Sequence, residues 1–224
     1  MIYVANKKRK LERIQAEYPN AIILDITSTS SLHSGQILSP FFSHGGIPIP
    51  FTEGMTATCV EAVWQGLKVF EHYGVDLKTF QNNTQKDIKR TIRKYGKMLG
   101  HAKGVHSSEL LGYFEARTQI YLPTYKWVLE NIPEVAHVIA RIKEKAQKND
   151  IVLLDYNINT EFRDISKPLS HAGLVKLYIE GRYPNPNDVL TPLTKEESKQ
   201  RKKIHMAMRR KKKSEAAKVE QTLF

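Results

Sequence analysis

The sequence predicts an α+β fold: one predominantly helical domain with a small β-sheet, followed by a basic C-terminal appendage. Three observations carry this. Helix-period segments with caps and breakers recur between residues 59 and 181. Two short apolar runs, 21–26 and 151–155, have the length and composition of buried strands. The charge balance shifts near residue 195: residues 195–224 hold 11 basic and 4 acidic side chains, a net of +7, whereas residues 1–194 hold 24 and 19, a net of +5. The boundaries are therefore set at 1–194 for the domain and 195–224 for the tail.

Taken in order, residues 6–18 read as a short basic helix stopped by Pro19, and Ala21–Ile26 as a buried strand. Residues 27–57 form a long turn-rich stretch containing Phe41, Phe42, His44, Gly45 and Gly46. So long an irregular segment inside a domain is a functional signal when its aromatics favour burial over disorder. A helix is expected over 59–73, ended by Gly74, and a second near 84–99, ended by Gly100. A third starts at Ser107 or Ser108 and meets Pro123, and the chain beyond it continues to Asn131. Pro133 opens a helix to about Lys148. Ile151–Asp155 is the second strand. Ser170 caps a helix that ends at Gly181. Residues 183–194 are an extended connector, and Thr194-x-x-Glu197 is a capping box that starts the tail as a helix.

Composition excludes several classes. The chain is 41% hydrophobic with a mean hydropathy of −0.44, enough for one core. No apolar run approaches the roughly 18–20 residues of a membrane span. The N-terminal residues do not read as a secretory signal. The single cysteine, Cys59, rules out a disulfide framework or a thiolate metal cage and fits a reducing, cytoplasmic setting. No P-loop, nucleophile elbow or zinc signature is present, so no metal and no cofactor is expected. A net charge of +12 points to a polyanionic partner, nucleic acid being the usual one.

The segment 59–73 is the most informative. Val60, Val63, Leu67 and Phe70 form an apolar stripe, and Glu61, Gln65, Lys68 and His72 a polar one, with Trp64 at the border. A carboxylate, an amide, an ammonium and an indole lining one groove can hold a sugar, a phosphate and a base. The same residues admit a plainer reading: Thr58-x-x-Glu61 matches a capping box, which would turn Glu61 back onto its own helix start. Asp155 at a strand end is a second carboxylate, with ordinary turn chemistry as its alternative. Asn157 follows it. His171, next to the Ser170 cap, and His44, before Gly45-Gly46, are candidate ligand contacts. Lys89, Arg90 and Arg93 on the expected 84–99 helix, and Arg209, Arg210 and Lys211 in the tail, are candidate phosphate contacts.

Ser39-Pro40-Phe41-Phe42, Pro50-Phe51 and Thr58 through Phe70, with Leu153–Asn157 and Leu169–Leu174 further on, resemble the NADAR (YbiA-like) family over about residues 37–182. Glu61, Gln65 and Lys68 fall on the family's Glu, Gln and Lys. Ala62 stands where the family usually has His, and the family's Trp-Gly loop motif is absent from 156–168. The resemblance implies a YbiA-like fold and an N-glycosidase that cleaves phosphorylated ribosyl compounds or removes ADP-ribose from a base in DNA. Glu61 and Asp155 would be its catalytic carboxylates, and Phe42, His44, Trp64, Gln65, Lys68, Asn157 and His171 its substrate contacts. The charge favours DNA as the partner, with removal of ADP-ribose and excision of a modified base as the two versions. The alternatives are a non-catalytic nucleic-acid-binding protein and an N-glycosidase of a free phosphorylated riboside.

Overall fold

The computed structural model describes residues 1–185, 191–204 and 206–207. In chain order the elements are β1 (Ile2–Asn6), α1 (Leu11–Glu17), β2 (Ile22–Asp25), α2 (His33–Gln36), β3 (Ile47–Pro48), β4 (Thr56–Ala57), α3 (Val60–Gly66), β5 (Lys68–Phe70) and α4 (Leu77–Phe80). Then come α5 (Ile92–Tyr95), β6 (Met98–Ala102), β7 (Leu110–Leu111), α6 (Tyr113–Ala116), a π-helical turn (Arg117–Tyr121), α7 (Leu122–Asn131), α8 (Pro133–Lys148), β8 (Ile151–Asp155) and α9 (His171–Ile179). The fold is α+β, with helices predominating around small sheets.

The central sheet is parallel, ordered β1-β8-β2. Its middle strand, Ile151-Val152-Leu153-Leu154-Asp155, is buried throughout, as a strand covered on both faces must be. The flanking strands β1 and β2 end at Asn6 and Asp25, opposite the end of β8. All three carboxyl ends therefore point the same way. An antiparallel sheet, β5-β6-β7, flanks this core. Among the described residues no helix is long and apolar enough to cross a membrane.

Four sequence expectations are corrected. Residues 2–6 are a strand and the helix starts only at Leu11, because β8 offers a free edge to Ile2–Asn6. The helix expected to run to Gly74 stops at Gly66. The Arg90 guanidinium takes the carbonyls of Gln65, Gly66, Lys68 and Gly74, and Lys68–Phe70 pair with β6 instead. The helix expected over 84–99 exists only as Ile92–Tyr95, since Gln85 and Asp87 adopt φ of 59° and 53°, outside any right-handed helix. The helix expected from Ser107 or Ser108 starts at Tyr113, because Leu110–Leu111 join β6 as β7. Pro123 does not break it: the proline has no N–H for a carbonyl one turn back, and the preceding turn widens to a π turn.

The later expectations hold in place. Ser170 caps α9, its hydroxyl accepting from the Gly173 N–H at 3.1 Å. Gly181 has φ 68° just past the helix end, a conformation that favours glycine. The Thr194 and Glu197 side chains exchange bonds with each other's backbone N–H, and residues 195–204 are helical.

Candidate active site

A cleft of about 660 Å³ opens at the carboxyl ends of β2 and β8. Ligands of open sheets with parallel strands generally bind at that end. Its lining comes from four distant stretches: Thr27, Ser28 and Ser39–Phe41; Glu61, Trp64, Lys68, Gln85 and Lys89; Tyr113, Arg117 and Tyr121; and Asp155–Asn157 with Pro168, Leu169 and His171.

Glu61 is on the first turn of α3, and its carboxylate lies in the cleft wall. It does not cap its own helix. The Thr58 hydroxyl is spent on the carbonyls of Phe80 and Asn82, and the cap is Cys59, whose Sγ accepts from the Ala62 N–H at 3.2 Å. The Glu61 N–H donates to the Pro40 carbonyl at 2.9 Å, tying α3 to the Ser39–Phe41 loop. Glu61 Oε1 accepts from Gln65 Nε2 at 2.7 Å, while Gln65 Oε1 accepts from the Arg90 N–H at 2.9 Å. Gln65 thus holds the carboxylate from behind and does not line the cleft, contrary to its expected role as a substrate contact. Burial raises the pKa of Glu61, against the hydrogen bond from Gln65 and the charges of Lys68 and Lys89. Burial lowers that of Lys68, against the pull of Glu61, with Arg90 and Lys89 adding to the lowering.

Trp64 lies in the wall with its ring 3.9 Å from that of His101. Burial, with the charge of Lys68, pushes His101 down to about 3, so this ring is neutral. Phe41, under the Lys89 ammonium at 5.4 Å, is the loop aromatic that reaches the cleft. Phe42 turns away to pack on His44 at 4.8 Å, and His44 Nε2 bonds the Ile37 carbonyl at 2.9 Å. Neither Phe42 nor His44 lines the cleft, so both expected contacts are corrected.

Asp155 reaches the cleft, but its oxygens are engaged. Oδ1 accepts from the Tyr156 N–H at 2.6 Å. Oδ2 accepts from the Ser170 hydroxyl at 2.7 Å and faces His171 Nδ1 at 3.0 Å. His171 Nε2 donates to the Ile26 carbonyl at 2.8 Å. Burial works against both charges, yet the pairing outweighs it: Asp155 is held below its usual range and His171 above. The two are a buried ion pair that joins β8, α9 and the end of β2. Asp155, expected as a catalytic carboxylate beside Glu61, therefore has both oxygens committed to partners within the protein. Asn157 lies in the wall as expected.

The basic residues divide. Lys89 lines the cleft, Arg93 is exposed on α5, and Arg90 is buried among carbonyls, so the three form no common phosphate-binding face. Arg209, Arg210 and Lys211 lie outside the described residues. No group of three or more His, Cys, Asp or Glu that could hold a metal occurs among the described residues.

Among the cleft residues that escaped the sequence reading are Tyr113, Arg117 and Tyr121. Arg117 is buried and donates to the carbonyls of Phe162, Asp164 and Lys167 and to the Tyr113 hydroxyl, all at 2.8–2.9 Å. It shapes the 156–169 loop, and no carboxylate pairs with it among the described residues. The signal was present: two phenols and a guanidinium at four-residue spacing just before a proline. No curated protein matches this sequence. A model of a family of unknown function, DUF6939, matches residues 6–175, and the chain belongs to that family.

Proposed function

We propose that the cleft hydrolyses an N-glycosidic bond, separating C1′ of a phosphorylated ribosyl or deoxyribosyl unit from a base. The observation that carries this is Glu61: a buried carboxylate facing a cleft rather than its own helix, held from behind by Gln65. Cleavage of a C1′–N bond builds positive charge on the sugar, and a carboxylate in a desolvated wall stabilises it and takes the proton of the attacking water. Aromatic walls from Phe41, Trp64, Tyr113 and Tyr121 suit a base. Lys68 and Lys89 suit a phosphate. The resemblance of the Glu61–Lys68 segment to the NADAR family points to the same reaction.

The charge of +12 favours a nucleotide presented within DNA. For a duplex this requires the nucleotide to leave the stack, at a cost of a few kcal/mol. A specific observation favours a second reading, a free phosphorylated riboside: the cations gather inside the cleft, while Arg90 is withdrawn from the surface. The test is incubation of the full chain with DNAs carrying different base modifications and, in parallel, with free nucleotides. Mass spectrometry would read free base, free sugar or abasic sites. Glu61→Gln keeps an acceptor for Gln65 and should cut the rate by about 10²–10⁴-fold. An unchanged rate would remove Glu61 from the chemistry.

A further inference from the structure

Resting on the N-glycosidase reading, we infer that Tyr121 is a second catalytic residue, whose hydroxyl donates a hydrogen bond to the departing base. The π turn ends in Tyr121, next to the start of α7, and sets its ring into the cleft wall, 5.8 Å from Trp64 and 6.3 Å from Tyr125. Two neighbouring tyrosines donate their hydroxyls to the protein, and a third accepts a bond from it. Tyr125 donates to the Leu38 carbonyl at 2.6 Å, Tyr183 to the Leu122 carbonyl at 2.9 Å, and Tyr113 accepts from Arg117 at 2.9 Å. Tyr121 makes no hydrogen bond with any described residue, though it sits among Glu61, Asp155, Arg117 and Tyr113. The residue is half-buried and lines the cleft, so a hydroxyl left unpaired by the protein is satisfied by what occupies the space before it. Burial and the two carboxylates push its pKa well up, so the phenol keeps its proton and acts as a fixed donor.

The chemistry leaves that role open. When the C1′–N bond breaks, its electron pair goes to the base. The water oxygen bonds C1′, and one water proton passes to Glu61 and from there to the base nitrogen. Tyr121 keeps its own proton and stabilises the negative charge on the leaving base through an acceptor such as a ring carbonyl. Glu61 lies on the same cleft and takes the water side, so the two roles fall to different groups.

The test is calorimetric titration of the full chain with UMP, GMP and the base-free probe ribose 5-phosphate, in a Glu61→Gln background so that no ligand is consumed. Tyr121→Phe removes a hydroxyl that holds nothing in the protein, so its urea midpoint should not move. Its affinity for the nucleotides should fall about tenfold while that for ribose 5-phosphate stays the same. Tyr125→Phe is the contrasting variant: it loses stability and keeps the difference between nucleotide and sugar phosphate. Unchanged nucleotide binding in Tyr121→Phe, or an equal loss for both ligand types, would overturn the inference and leave the glycosidase reading standing. Failure of all three ligands to bind the protein that retains Tyr121 would overturn the inference together with the free-riboside version of the glycosidase reading.

Discussion

Arg90→Ala decides between two roles for one cation. The run of bases in 84–99 suggests a phosphate contact, whereas in the structure Arg90 is 4% exposed and reaches four carbonyls. Two of those bonds are short, 2.6 Å to Lys68 and 2.8 Å to Gly74. A hydrogen bond from a charged donor contributes ~1.5–3 kcal/mol. The bonds to Gln65 and Gly66, at 3.3 and 3.4 Å, add less. Truncation also relieves the cost of burying the guanidinium, so the expected loss is about 3–4 kcal/mol. That is a large part of the ~5–15 kcal/mol that holds a typical domain. Arg90→Lys supplies one point donor that cannot serve both short acceptors, and it should recover about half of the loss. Urea unfolding followed by far-ultraviolet circular dichroism gives the midpoint and slope, and DNA affinity against salt runs beside it. A wild-type midpoint together with a salt slope lowered by about one would show that Arg90 is a phosphate contact after all.

Three further outcomes follow from packing and titration. A Cβ on Gly66 would stand 2.2 Å from Phe80 Cε1, and Phe80 is itself enclosed, so Gly66→Ala should cost about 1–3 kcal/mol in urea unfolding. An unmoved midpoint would show that Phe80 swings clear. His171 binds its proton more tightly folded than at its ordinary 6.5, so its contribution is complete below 6.5 and is lost as the pH rises through the raised value. Asp155 lies below its ordinary 3.8, so its contribution is complete above 3.8 and is lost as the pH falls through the depressed value. The stability gap between wild type and Asp155→Asn should be widest between those two values and narrow above 6.5, and a gap constant from pH 5 to 9 would refute the ion pair. Burial pushes the Cys59 thiol up to about 11, so a disulfide reagent at pH 8 should label the urea-unfolded chain and spare the native one. Rapid stoichiometric labelling of the native protein would contradict that burial.

What the sequence revealed and what it hid divide along the range of the forces involved. The β8 strand, the α8 helix and the Ser170 cap are local in origin: an unbroken apolar run, a proline start and a hydroxyl three residues before a glycine N–H each act within a turn or two. The end of α3 is not local. Lys68, Phe70 and His72 continue a helical stripe on paper, but a guanidinium more than 20 residues away takes the carbonyls where the helix stops. The segment 84–99 fails for the same reason. Its lysines favour a helix, while Gln85 and Asp87 take left-handed backbone so that Arg90 can turn inward. At the site, Glu61, Trp64 and Lys68 were legible because they fall within eight consecutive residues, two on α3 and the third at the start of β5. Phe41 and Phe42 are adjacent, and no local rule selects which of two neighbouring rings faces inward.

The cleft's charge balance adds one constraint on what it accepts. Asp155 is neutralised by His171 at 3.0 Å, which leaves Glu61 as the one lining carboxylate without a paired cation in direct contact. Against it stand Lys68, Lys89 and Arg117, the last buried without a carboxylate partner among the described residues. With Lys89 exposed, Lys68 half-buried and Arg117 buried, that surplus suits an anion carrying about two charges, the charge of a phosphate monoester. A neutral nucleoside would leave the surplus in place. On the proposed glycosidase reading this balance implies an order: the cations would meet the phosphate first, and Glu61 would then be the nearest unbalanced charge to a sugar turning positive.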